Sequence, residues 1–101
     1  MNMRYEVVIS RRAELMLGSH IAFLARVSVK AARRLRDEYA VMLDSLETNP
    51  FLFPEAHEPD IPEGYRKALF GKRYLAVFCV EGSTVFLDAV LDRRMDNSGV
   101  F

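Results

Sequence analysis

The stretch Tyr65–Arg94, YRKALFGKRYLAVFCVEGSTVFLDAVLDRR, decides the fold. Tyr65–Phe70 is short and half charged. Gly71-Lys72 then makes a tight turn. Arg73–Val80 is almost continuously apolar and rich in β-formers. Glu81-Gly82-Ser83 supplies a second turn, with glycine where a positive φ is cheap. Thr84–Leu91 is another apolar, β-branched run that stops at Asp92-Arg93-Arg94. Strands two or three residues apart pair as hairpins, because a parallel return needs a long crossover. The stretch therefore reads as a three-stranded antiparallel meander with cations at both ends.

Upstream, Met3–Ser10 (MRYEVVIS) reads as a further strand. Ser10 stands at an N-cap position, and Glu14 suits the first turns of a helix over Arg11–Ala25. Ala13, Leu17, Ile21 and Leu24 form its buried stripe. Leu15, Met16, Ala22 and Phe23 lie outside that stripe, so a second face is apolar too. Ser28 caps a second helix over Val29–Glu47, whose core face is Ala32, Leu35, Tyr39, Met42 and Leu46. On its polar face Lys30, Arg33, Arg34 and Arg36 come first, and Asp37, Glu38 and Asp44 follow. The helix dipole favours the reverse order. Thr48-Asn49-Pro50 ends the helix, and Pro50 with Pro54, Pro59 and Pro62 makes FLFPEAHEPDIPEG a loop, with Phe51, Leu52 and Phe53 tucked against the sheet.

The whole chain, residues 1–101, is one α+β domain: an N-terminal strand, a helical hairpin, then the meander. A helical hairpin on one face of an antiparallel sheet covers one side only. Yet Tyr74/Ala76/Phe78/Val80 and Leu75/Val77/Cys79 are both apolar sets. Together with the second face of the first helix, this points to a partner polypeptide, with Met16, Phe23, Tyr74 and Phe78 as its contacts.

Half the residues are hydrophobic, and fourteen basic residues balance fourteen acidic ones. The sequence pI is about 6.7, which argues against binding long nucleic acid through net charge. One cysteine, Cys79, excludes an internal disulfide and fits a reducing cytosol. There is no signal-peptide pattern, and no apolar run reaches the roughly 18 residues of a membrane helix. The expectation is a cytoplasmic protein that keeps off membranes. His20 and His57 lack companions at metal-ligand spacing and read as structural, so neither metal nor cofactor is implied. Lys67 and Lys72 read as charges that solubilise a hairpin.

A strand, a helical hairpin, a proline-bearing loop and then YRKALFGKRYLAVFCVEGSTVFLDAVLDRRMD resemble the RelE/ParE superfamily of type II toxin–antitoxin toxins. The Arg66 strand, GKRYLAVF and VLDRRMD carry most of the likeness, and SHIAFLARVS resembles one subgroup. The resemblance implies a bacterial toxin that arrests growth or stabilises a plasmid, held inactive by a cognate antitoxin. Operator DNA would be reached only through that antitoxin, and the free toxin could pair as a homodimer. RelE-like members cut mRNA on the ribosome; ParE-like members poison DNA gyrase.

The RNA cutters' pattern maps here onto Arg66 and Arg93, the candidate catalytic residues. Ala68 and Leu75 stand at two further basic positions, and no tyrosine follows Arg93. Cleavage through a 2′-OH needs a proton-transfer pair beside the phosphate. Arginine is a poor base, and neither histidine is placed with Arg66 in this reading. Arg73 and Arg94 are the candidate target-binding residues. The preferred expectation is a toxin that binds a macromolecule such as gyrase. The alternatives are a diverged ribosome-dependent endoribonuclease and a non-toxic interaction module on the same fold.

Overall fold

Two serines divide the first half of the chain into helices. Ser10 Oγ accepts the Ala13 amide at 3.0 Å, and Ser28 Oγ accepts the Ala31 amide at 3.1 Å. Both serines are extended and satisfy an orphan amide of a first helical turn. The helices they start are α1, Arg11–Val27, and α2, Val29–Thr48. The structure is a computed structural model that describes residues 4–101. Met3, which the sequence reading includes in the first strand, lies outside the described residues.

Four strands form one sheet: β1, Glu6–Ile9; β2, Arg66–Phe70; β3, Tyr74–Glu81; and β4, Thr84–Asp92. Their spatial order is β1-β4-β3-β2. The meander is present as expected, with β2 and β4 both antiparallel to β3. β1, however, lies parallel to β4, so the sheet is mixed and not wholly antiparallel. The hairpin turns dictate the pairing of β2, β3 and β4, but nothing local ties β1 to a partner. The helical hairpin supplies the crossover that a parallel partner needs.

A bulge in β4 explains why its hydrophobic alternation is unclear. Leu87 pairs with Phe78 and Ala89 with Val77, leaving Asp88 as an extra residue. One inserted residue reverses which face each later side chain meets. Val85 and Leu87 before it, and Val90 after it, join the helix-covered core; Ala89 and Leu91 join the opposite one. β1 also stops at this point, opposite Leu87. The side chain of Ser10 and side chains along α1 take over the vacated edge. Ser10 Oγ and Arg12 Nε donate to the Asp88 carbonyl at 3.0 and 3.1 Å, and His20 Nε2 meets the Val90 carbonyl at 2.9 Å. Helix cover is one way to blunt an open edge.

On one face, Leu35, Tyr39, Met42 and Leu46 of α2 pack on Ala68, Ala76, Phe78 and Leu87. Tyr39 buries its hydroxyl there without a hydrogen-bond partner among the described residues. Burial, then the nearby Glu14 charge, pushes that phenol's pKa up. The opposite face holds Leu75, Val77, Ala89 and Leu91, roofed by Ala56 and Ile61 of the proline-rich loop with Tyr65 and Val100 against them. The surplus apolar face is therefore covered by the chain itself, not left for a partner. Phe53 tucks in as expected, edge-on to Phe78 with ring centroids 6.0 Å apart. Phe51 and Leu52 do not: both are exposed.

Candidate functional site

Arg66 opens β2 on the helix-covered face, in the alternation of Ala68 and Phe70. Its Nη1 donates to the Phe53 carbonyl at 2.7 Å, and its guanidinium stands 5.1 Å from the Phe51 ring centroid. These contacts hold it beside a cavity of about 570 Å³ that is also lined by Glu55, His57, Glu63 and Tyr65. His57 Nε2 lies 4.0 Å from Glu55. The expectation that no histidine accompanies Arg66 is thus corrected. The loop between η1, Pro50–Leu52, and β2 folds back so that Glu55 bridges to Arg66 itself. Sequence spacing carries no signal of that return. With three glutamates in the wall, Glu58 included, the cavity is acidic and disfavours a polyanion.

Arg93 stands elsewhere. It follows Asp92 at the far end of the sheet and lines cavities with Leu75 and Leu91, on the face away from the helices. Arg66 pairs with Phe78, four residues along β3 from the Tyr74–Asp92 pair, or about 13 Å at strand rise. The two candidate catalytic arginines therefore sit on opposite faces and do not converge. The other two pattern positions, Ala68 and Leu75, are core positions. A cation there would be buried without a partner, at prohibitive cost.

Arg94 is held by Asp92. Asp92 Oδ1 accepts the Arg94 amide at 2.9 Å, and Nη2 lies 3.2 Å from Oδ2. Burial opposes charge on Asp92, but the Arg94 hydrogen bonds prevail and keep its carboxyl below the usual range. Arg73 lies over the Tyr74 ring, 5.5 Å from its centroid, and lines a separate cavity with Arg34, Glu38 and Lys72. Lys67 faces away from Arg66 and pairs with Glu58 at 2.8 Å. Burial and this pairing pull Glu58 in opposite senses, and the pairing wins, lowering its pKa.

A third group joins the second face to the tail. Tyr65 Oη donates to Asp88 Oδ2 at 2.5 Å, which pushes the phenol up to about 12. Phe101 lies against Tyr65, with centroids 5.3 Å apart, and Arg12 stands 4.9 Å from the Phe101 centroid on another side. Cys79 is part-buried close by; burial, then Asp88 and Glu81, push its thiol up, so it is no ready nucleophile.

The expected partner contacts divide sharply. Tyr74 and Phe78 are 3 and 0 % exposed, because both point from β3 into the helix-covered core. They offer no surface to a partner. Met16 is half-buried where the two cores meet. Phe23 is 62 % exposed on the outer side of α1, along with Leu15 and Val27. Among the described residues no helix is long and apolar enough to cross a membrane, and no cluster of potential ligands suits a metal ion.

A helical hairpin laid on a four-stranded sheet, with the first strand parallel to the last, is a ParE-like fold. A chain of the solved chromosomal ParDE TA system from P. aeruginosa matches it with a TM-score of 0.71. The match covers 89% of this chain and 97% of that one, at 14% sequence identity. No family model matches the chain, and no curated protein does. The likeness to RelE/ParE toxins drawn from the sequence thus holds at the level of the fold.

Proposed function

We propose that this protein is the toxin of a type II toxin–antitoxin system, neutralised by a cognate antitoxin and acting by binding a macromolecular target such as DNA gyrase. The observation that carries the reading is the near full-length correspondence of fold with a chain of a ParDE system. The dispersal of Arg66 and Arg93 favours binding over RNA cleavage, since phosphate stabilisation and proton transfer must act at one point. The exposed strip Leu15, Phe23 and Val27 on α1 is the antitoxin-facing surface in this reading. Inducing the gene in a bacterial host should arrest growth, and co-expressing the neighbouring gene should relieve it. DNA damage with intact mRNA is the expected accompaniment. Arrest without any neighbour that relieves it, or no arrest at all, would sink the proposal.

One observation favours a second reading, a diverged ribosome-dependent endoribonuclease. His57 supplies a proton-transfer group in the cavity that holds Arg66. If that reading is correct, mRNA is cut within translated codons, and His57→Ala and Arg66→Ala each abolish cutting while Arg93→Ala does not. Intact transcripts during growth arrest exclude it.

A further inference from the structure

The reversed charge order of α2 becomes intelligible at the turn between β2 and β3. Gly71 and Lys72 both have positive φ, 58° and 68°. Lysine rarely adopts that conformation, because its Cβ crowds the backbone. Gly71 is confined by packing as well. A Cβ there would lie 2.9 Å from Leu35 Cδ1 and 3.3 Å from Glu38 Oε2, so the turn is pressed onto α2. The result is a cavity of about 240 Å³ between helix and turn, with Arg34 on one side and Lys72 and Arg73 on the other.

Glu38 is the one carboxylate in its lining. Among the described residues, none of the three cations has an ion pair within 4 Å. Lys30 and Arg33 extend the basic surface along the first turns of α2, where a helix dipole disfavours cations. Among the described residues Lys72, Arg33 and Arg34 make no ion pair, and the side chain of Arg73 has only its contact with Tyr74.

We propose that this cavity binds a phosphate group, and that the row of cations on α2 makes it a site for the phosphodiester backbone of a single-stranded nucleic acid. Zero net charge does not oppose this, because acidic residues concentrate elsewhere: Glu55, Glu58 and Glu63 line the Arg66 cavity, while Glu38 alone faces the three cations here. Arginine forks and the lysine ammonium suit phosphate oxygens, and the Gly71-Lys72 conformation is of the kind whose amides form anion-binding concavities. The site goes beyond the toxin reading and does not depend on it, since binding is measured on the purified chain.

The test titrates the full chain with pyrophosphate and with a short single-stranded oligonucleotide, following amide NMR shifts and fluorescence anisotropy. Shifts should centre on Gly71, Lys72, Arg73 and the Arg34 side chain, and the oligonucleotide should bind the tighter. Three phosphate contacts imply affinity about twentyfold weaker at about 200 mM than at about 50 mM salt, and a log–log slope shallower by about 0.7 for each cation removed. Lys72→Gly is the decisive variant: glycine accepts this φ freely, so thermal stability should hold or rise while binding falls about threefold at about 200 mM salt and about eightfold at about 50 mM, the loss of one phosphate contact. Arg34→Gln with Arg73→Gln should remove most of the remainder. Unchanged binding in these variants, equal affinity for an acidic peptide, or pyrophosphate binding with no gain for the oligonucleotide would each overturn the proposal.

Discussion

The two faces of the sheet are closed by different means. Helices seal one with residues three and four apart that point inward, Leu35, Tyr39, Met42 and Leu46 of α2, joined by Ala13 of α1. The other is sealed by Ala56 and Ile61 from a loop, with Tyr65 and Val100 against them. A helix brings a pre-formed ridge whose backbone is already hydrogen-bonded. A loop covers a sheet only where its own backbone finds partners, and here Ala56 N donates to Tyr65 O and Lys67 N to Pro54 O. Periodicity announces the first kind of cover and is silent about the second. Two apolar faces on a strand therefore do not by themselves call for a partner.

If the helix-covered face dominates stability, its central residue should cost most to truncate. Phe78 is fully enclosed and stacked edge-on with Phe53. Phe78→Ala should destabilise by about 3–5 kcal/mol in urea denaturation. Ile61 is nearly as buried, at 6 %, but it sits on a loop that is able to settle into the space it leaves. Ile61→Ala should cost about 2 kcal/mol, the low end for such a truncation. Equal losses would mean that the loop is as rigid a lid as the helix.

What the sequence revealed follows the same division. The caps Ser10 and Ser28, the core stripe of α2 and the meander all rest on neighbours in sequence, and all are present. The parallel seat of β1, the bulge at Asp88 and the loop's return to β2 depend on contacts between distant residues, which no local pattern encodes. The candidate site suffered most from this. Arg66 and Arg93 looked like a pair because each matched one position of a linear pattern, and strand alternation then placed them on opposite faces. His57 looked isolated because its neighbour Arg66 lies nine residues on, across a folded loop.

The tail-side closure has its own chemical signature. Tyr65 is held protonated by Asp88 to about 12, against an ordinary value of 10.0. The unfolded chain releases that proton first, so it binds fewer protons than the folded chain above pH 10. The contribution is complete below pH about 10 and is lost as pH rises through about 12. Stability of the wild-type chain should therefore fall across that window, and Tyr65→Phe should remove this component. At neutral pH the same substitution should cost about 1 kcal/mol, the worth of one partly exposed hydrogen bond. A wild-type curve matching that of Tyr65→Phe would show that the Tyr65–Asp88 bond does not hold the second face closed.

The smallest effect on folding belongs to the surface that neither closure uses. Phe23 is far enough into solvent that Phe23→Ala should change stability by no more than about 0.5 kcal/mol. A large exposed aromatic in a strip with Leu15 and Val27 gives little to the monomer and much to a binding partner. If the proposed toxin reading is correct, the variant should keep its melting temperature and arrest growth as the wild type does, while co-expression of the neighbouring gene no longer rescues the cells. If Phe23→Ala instead melts early, α1 contributes to the fold through its outer side and the antitoxin surface must lie elsewhere. If rescue persists unchanged at normal stability, the strip is ordinary exposed apolar surface.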